Sequence, residues 1–376
     1  MSDHIPFEIQ SEIMKMLPVK SLLQFRSVSK QWKSLIDSSE FIKNYHLNHT
    51  NPKHHLLVRY KLNTVQTYTS ITDDNTFPQQ KFPLTTPESL SLLRHALTLG
   101  SVKGLLCYFG CYKDTEMAQK RKTEMAVIWN PTVRKSVGIV IPNELYMRYV
   151  VGFGVCPRTS DPKLVKISVD KKRSMWVVEV FTLSRRVWET VYTGAPFKSY
   201  DLVWHQVSVD GVIYWRAYDD LDLDDGFRSN FIISFDLKSD KFGEVRLPDR
   251  LVYTHPLSMV NVNESLVLLE CNDEGETAVC GVWMRKDGEN KPFTKIYTVK
   301  VEGRSLYNSV LGFRKNGEVV LELEDDNCEE SEIEVYEPSS GRTNSVGIKG
   351  QYATFSARSY IETLLLLDQS NTIIGL

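Results

Sequence analysis

The sequence predicts a mostly β protein with a small all-α domain at its N-terminus, and three observations predict it. Sustained helical spacing of apolar residues is confined to the first forty or so positions. After them the chain is a succession of short β-branched and aromatic runs, broken by clusters of Gly, Pro, Asp and Asn. Those runs return with a period of about fifty residues. The boundary is placed so that residues 1–48 form the helical domain and residues 49–376 the β domain.

Composition fits this division. The 376 residues are 42% hydrophobic and 24% charged, which is enough to bury a sizeable core and excludes disorder as the main state. Lys plus Arg total 45 against 47 Asp plus Glu, a net charge of −2. Such a chain exerts no global pull on nucleic acid or a membrane surface, so neither is expected as a partner. The first residues lack a basic segment followed by an apolar one, so no secretion signal is expected. No run approaches the length of a membrane span; the leucines 364–367 lie just after Glu362 and just before Asp368. The cysteines (Cys107, Cys111, Cys156, Cys271, Cys280 and Cys328) form no Cys-x-x-Cys. Reduced thiols in a cytoplasmic or nuclear protein are the expectation.

The N-terminal segment reads as three helices within residues 5 to 45. Ile9, Ile13, Met16 and Leu17 follow an i, i+4, i+7, i+8 spacing, and Val28, Trp32, Leu35 and Ile36 repeat it. Pro6 suits the first helical turn, Pro18 closes the first helix, and residues 20–26 supply a short second one. Ser27 or Ser29 caps the third. A unit this small cannot hide all its apolar side chains by itself. Either the rest of the chain or another protein must cover them, and helices seated in a partner's groove fit the pattern.

These residues carry a resemblance. The order Ile5-Pro6, Glu8-Ile9, Leu17-Pro18-Val-Lys-Ser-Leu22, Phe25-Arg-Ser-Val-Ser-Lys-Gln-Trp32 and Leu35-Ile36 resembles the F-box. Ile5 stands where the family has Leu, and Ser29 where it has Cys. The resemblance implies docking onto a Skp-type adaptor and, through it, a cullin scaffold. By position it implies a contact formed by Ile5, Pro6, Ile9, Ile13, Leu17, Pro18, Leu22, Val28 and Trp32. Phe25 and Leu35 are expected to hold the helices together instead.

The β domain contains a repeat. Gly104-Leu-Leu-Cys-Tyr108 is followed by Ala126-Val-Ile-Trp-Asn-Pro131 and closed by Pro142; Gly211-Val-Ile-Tyr-Trp215 is followed by Ile232-Ile-Ser-Phe-Asp-Leu237 and closed by Pro248. Weaker copies share the middle strand. The aromatic anchors Trp129, Phe181, Phe235, Trp283 and Tyr336 are separated by 52, 54, 48 and 53 residues. A period of about fifty with several strands per unit predicts a kelch-like β-propeller. Five anchors mark five blades. Residues 56–84 hold strands of a sixth, which residues 352–364 complete from the other end of the chain, removing free sheet edges. Residues 88–97 read as the one helical insert. This half resembles the F-box-associated domain of plant F-box proteins, on Val127-Ile-Trp-Asn-Pro-Thr132, Val151-Gly-Phe-Gly154, Val178-Glu-Val-Phe-Thr-Leu183, Asp210-Gly-Val-Ile-Tyr-Trp215 and Tyr360-Ile-Glu-Thr-Leu364.

No catalytic or metal motif stands out, and no cofactor is expected. Gly152-Phe-Gly154 lacks the third glycine and the following helix of a dinucleotide loop. His54 and His55 would point to opposite faces of a strand, and Cys107 and Cys111 read as buried or turn thiols. Eight acids between Glu322 and Glu334 read as a solvated loop, with a grip on a basic segment as the alternative. The basic triplets 120–122 and 171–173 read as solvated loops. Tyr146, Tyr149 and Trp204 are the aromatic candidates for a ligand face, with core packing as their simpler role.

The expected function rests on the resemblance. It is the substrate-recognition subunit of a Skp–cullin–F-box ubiquitin ligase, itself without catalysis, its β domain holding a target protein. The rivals are a propeller enzyme or carbohydrate-binding module whose helices only pack on the blades, and an F-box protein working without a cullin.

Overall fold

The computed structural model describes residues 5–48, 52–113, 123–142, 148–170, 175–194, 200–219, 229–254, 256–272, 277–285, 292–302, 306, 309–324 and 329–375. Helices α1 (Phe7–Lys15), α2 (Val19–Phe25), α3 (Lys30–Ile36) and α4 (Ser39–Asn48) open the chain. Pro6 and Pro18 sit at the N-caps of α1 and α2, where a missing N–H costs nothing. Ser29 caps α3, its Oγ accepting the Trp32 N–H at 3.1 Å. The fourth helix was not foreseen. Its Phe41, Ile42 and Tyr45 are buried and give the other three something to pack on.

The β domain is six four-stranded antiparallel blades. One contains β1 (His54–Leu62), β2 (Val65–Thr72) and β3 (Lys81–Pro83). After the short α5 (Glu88–Ser91) comes the blade of β4 (Leu93–Val102), β5 (Leu105–Tyr112), β6 (Glu124–Asn130) and β7 (Lys135–Ile141). The next is β8 (Arg148–Val155), β9 (Pro162–Asp170), β10 (Met175–Thr182) and β11 (Val187–Gly194). It is followed by β12 (Tyr200–Val209), β13 (Val212–Asp219), β14 (Asn230–Asp236) and β15 (Lys241–Val245), then α6 (Asp249–Val252). Two further blades are β16 (Leu257–Val262), β17 (Ser265–Asn272), β18 (Thr277–Arg285) and β19 (Phe293–Glu302), and β20 (Val310–Phe313), β21 (Val319–Glu324), β22 (Glu330–Glu337) and β23 (Arg342–Gln351). Last, β24 (Ser356–Ile361) pairs with β1 and completes the first-begun blade, while β25 (Thr372–Ile374) adds a parallel edge to β7.

Every aromatic anchor of the repeat lies on the third strand of its blade: Trp129 on β6, Phe181 on β10, Phe235 on β14, Trp283 on β18 and Tyr336 on β22. The glycine that opens two repeats has a steric reason. Gly104 and Gly211 take positive φ in the turn after the innermost strand, and a Cβ there would meet Ile361 O at 2.4 Å or Pro157 Cδ at 2.3 Å. Gly152 lets the next blade approach, since a Cβ would lie 2.3 Å from a ring carbon of Trp215.

Three expectations are corrected. Residues 88–97 are not one helix: α5 ends at Ser91 and Leu93 begins β4, whose ladder with β5 overrides local propensity. The cysteines are not all reduced. Cys271 and Cys280 lie directly opposite each other on β17 and β18 and form a disulfide. The acidic run is not simply a loop. Glu322 and Glu324 lie on β21 and Glu330, Glu332 and Glu334 on β22, and Glu322 is buried, accepting from Ser331 Oγ at 2.8 Å and Ala353 N at 2.7 Å. Residues 120–122 and 171–173 lie outside the described residues, as does Tyr146.

Strands β4, β8, β12, β16, β20 and β24 are innermost and meet around the axis. Antiparallel order then puts the ends of the first and third strands of every blade on one face of the propeller. The ends of the second and fourth strands lie on the other. The helices enter at the start of β1, a second strand, so they sit on the former face; the latter is called the far face below.

Candidate docking site

The helical head has two sides. Inward, Met14, Val19, Leu22, Ile36, Phe41, Ile42 and Tyr45 are buried in one cluster with the leucines 364–367 and with Leu105 and Leu183 of the blades. The tail that carries those leucines is pinned by Asn130, fully buried, whose Nδ2 donates to the carbonyls of Thr363 at 3.0 Å and Leu365 at 2.7 Å. Ser39 Oγ donates to Asp368 at 2.8 Å, and Tyr45 donates to the Leu17 carbonyl at 2.9 Å. Burial, and then the nearby Glu362, push the Tyr45 hydroxyl far above the ordinary tyrosine range.

Within the head, Trp32 Nε1 donates to Gln10 at 2.9 Å and its ring lies 5.3 Å from that of Phe25. Arg26 grips both oxygens of Asp37, at 2.5 and 3.0 Å, tying α2 to the end of α3. Leu17, Leu23, Phe25, Trp32 and Leu35 are half-buried against the shared cluster.

Outward, an apolar stripe is left. Ile5, Phe7, Ile9, Ile13, Met16 and Val28 are between 42% and 80% exposed. Pro6 and Pro18 are exposed beside them. Of the residues expected at the contact, Ile5, Pro6, Ile9, Ile13, Pro18 and Val28 therefore face outward, and Leu17 and Trp32 are partly covered. Leu22 is the exception. It is fully buried and belongs to the inward cluster, so its side chain is structural. Phe7 and Met16, which were not among the residues expected at the contact, are exposed on the same stripe. Met16 lies seven residues after Ile9 and three after Ile13, so the same helical spacing could have found it.

No reacting group emerges elsewhere among the described residues. Ser70, His55 and Glu362 line up, with Ser70 Oγ 3.5 Å from His55 Nδ1 and His55 Nε2 3.1 Å from Glu362. However, Ser70 and His55 are buried and Ser70 Oγ is shared with the Tyr360 hydroxyl at 2.8 Å. The group joins β1, β2 and β24 and acts as a latch on the completed blade. A cleft of about 480 Å³ at the outer edge of the β4–β7 blade is lined by Pro87, Glu88, Trp129, Arg134, Asn371 and Ile373, among others, with neither histidine nor cysteine in its wall. Among the described residues no three His, Cys, Asp or Glu side chains gather as metal ligands, and no helix is long and apolar enough to cross a membrane. Tyr149 and Trp204 lie together on the far half, their rings 5.8 Å apart, with Trp204 39% exposed.

Comparison with known proteins bears on both halves. The family described as "F-box domain" matches residues 2–44, and that described as "F-box associated beta propeller domain" matches residues 54–370. Two Arabidopsis thaliana proteins carrying F-box names are each 27% identical to this chain. One aligns over 299 residues, 76% of this chain and 69% of its own length, the other over 296 residues, 77% and 88%. An F-box protein of the same plant is 28% identical over 298 residues, 78% of this chain and 69% of its own length. Among solved structures, the β-propeller domain of the Trilobed protease from Pyrococcus furiosus superposes with a TM-score of 0.35 at 11% identity, covering 67% of this chain and 83% of its own. A likeness that loose carries no argument.

Proposed function

Because this chain belongs to the F-box proteins that carry an F-box-associated β-propeller, we propose that it is the substrate-recognition subunit of a Skp–cullin–F-box ubiquitin ligase. The observation that carries the proposal is the outward stripe of Ile5, Phe7, Ile9, Ile13, Met16 and Val28. The head spends its other side on the propeller, so the stripe remains for a second polypeptide. Burying one such side chain fully is worth roughly 1.5–3 kcal/mol, and several in one groove make a stable complex.

In this reading the chain is non-catalytic. The Skp-type adaptor takes the stripe, the cullin holds the adaptor, and ubiquitin passes to a target lysine on other subunits. What this protein supplies is proximity, a raised effective concentration of target lysines near the loaded carrier. A cytoplasmic or nuclear location goes with the proposal. The head-to-propeller packing gives the target a fixed position relative to the cullin, because the cluster under the head joins α1–α4 to the blades.

The test is reconstitution. Full-length chain mixed with purified Skp-type adaptor and cullin should elute as one complex in size-exclusion chromatography at micromolar concentration. Separate elution of chain and adaptor would overturn the proposal.

A further inference from the structure

Among the apolar residues of α1, one polar side chain joins two parts of the head. Gln10 is half-buried. Its Nε2 donates to the Ile5 carbonyl at 2.8 Å, and its Oε1 accepts from Trp32 Nε1 at 2.9 Å. An indole N–H can only donate and a carbonyl can only accept, so the chemistry fixes which end of the amide faces which partner. A carboxylate in the same place would turn an acceptor toward the Ile5 carbonyl, and an ammonium would offer nothing to the indole N–H. A side-chain amide, with a donor and an acceptor side by side, serves both.

The two partners belong to different parts of the docking surface. Ile5 lies outside α1 and is exposed. The first carbonyl engaged by helical N–H groups is that of Pro6, which accepts from Ile9 at 3.0 Å and from Gln10 at 3.1 Å. Helix formation therefore leaves the Ile5 carbonyl unengaged, and among the described residues it is the Gln10 side chain that holds it. Trp32 stands in the first turn of α3, its backbone N–H on Ser29 Oγ and its ring against Phe25. The Gln10 bridge thus sets Ile5 and Pro6 against α3, on either side of a helix that presents Ile9 and Ile13.

We propose that Gln10 is a positioning residue for adaptor docking: it holds the Ile5–Pro6 end of the stripe in its docked arrangement before the partner arrives. The proposal rests on the reading of the stripe as the adaptor site and adds a residue that acts through its neighbours. A segment that is loose in the free chain must be ordered on binding, and that cost is subtracted from the affinity. Ordering the backbone of a single residue corresponds to about a tenfold change in Kd.

The experiment is isothermal calorimetry of the full-length chain with purified Skp-type adaptor, beside a thermal melt of each variant. Gln10→Met keeps the length and helix propensity of the side chain and loses both hydrogen bonds. Gln10→Glu keeps an acceptor for Trp32 and loses the donor to Ile5, so it separates the clamp from the packing of the head. Each should weaken adaptor binding about tenfold, and Gln10→Glu should keep the parent's melting temperature. Ile5→Ala removes the side chain that the clamp positions, so in that background Gln10→Glu should cost less than about threefold. Variants that bind within about twofold of the parent would overturn the proposal. So would an equal loss from Gln10→Glu with and without Ile5→Ala, since Gln10 would then act independently of Ile5. A loss of affinity that tracks a lowered melting temperature in both variants would assign Gln10 to the fold alone, and would also overturn it. If the parent itself does not bind the adaptor, the receptor reading fails together with this one; if the parent binds and the variants match it, this one fails alone.

Discussion

Replacing Ile13 by Asp should weaken adaptor binding about a hundredfold and leave the fold intact. Ile13 is 47% exposed on α1, so about half its side chain is available to a partner, worth about 1 kcal/mol. A carboxylate in its place loses that and must enter apolar contact unpaired, at a further cost of about 2 kcal/mol or more. Together these amount to about a hundredfold in Kd. In the free chain the same change sits in water and should cost about 0.5 kcal/mol at most. Leu22→Ala is the mirror experiment. Leu22 is fully buried, so its truncation should cost about 2–5 kcal/mol of stability and leave the affinity of the folded protein nearly unchanged. The assay is isothermal calorimetry with purified Skp-type adaptor, beside thermal melts of each variant. An Ile13→Asp protein that binds within threefold of the parent at an unchanged melting temperature would refute the assignment of the stripe. A folded Leu22→Ala protein that fails to bind would refute the division into inward and outward sides. Leu17→Asp would be a poorer probe, because Leu17 packs against the shared cluster and its loss mixes the two effects.

Other outcomes follow from the same geometry. Ser29→Ala removes the acceptor for the Trp32 N–H and should lower stability in urea by about 1 kcal/mol, with Ser29→Asp largely retaining it; equal stability of Ala and Ser would show that the cap contributes nothing. Asp73, buried, accepts from Arg314 at 2.9 Å and from the Lys315 N–H at 2.8 Å across two blades. Asp73→Ala should cost about 2–3 kcal/mol, since it removes two hydrogen bonds across the blades while Arg314 keeps its ion pair with Glu318, and a urea midpoint close to the parent's would count against that. Burial raises the Glu322 carboxyl above its ordinary value, so the folded chain keeps that proton to a higher pH than the unfolded chain. Stability from this group is therefore highest in acid and falls as pH rises through the raised value. Glu322→Gln should raise the urea midpoint at pH 7, and the gap should close at about pH 4; a gap of the same size at both pH values would contradict the burial argument.

Much of this architecture was legible in the chain because it is written between near neighbours. The helical spacing of Ile9, Ile13 and Met16 marks an amphipathic rod. The aromatic on the third strand of each blade recurs every fifty residues or so because each blade solves the same packing problem. The order of the F-box and propeller residues carried the family. Other features depended on partners distant in sequence. Residues 93–97 read as helix by themselves and became β4 because β5 was there to pair with them. The leucines 364–367 looked like an isolated apolar run until the head closed over them, and Leu22 shared the pattern of the docking residues until that closure buried it. Asp73 and Arg314 are unremarkable charges 241 positions apart, and only the closed ring brings them together. The sequence by itself determined which segments are amphipathic, which repeat and where the chain changes character, since those follow from periodicity along the backbone. The tertiary structure decided which apolar face is left exposed and which charges pair, since burial and proximity are set by contacts between residues far apart in the chain.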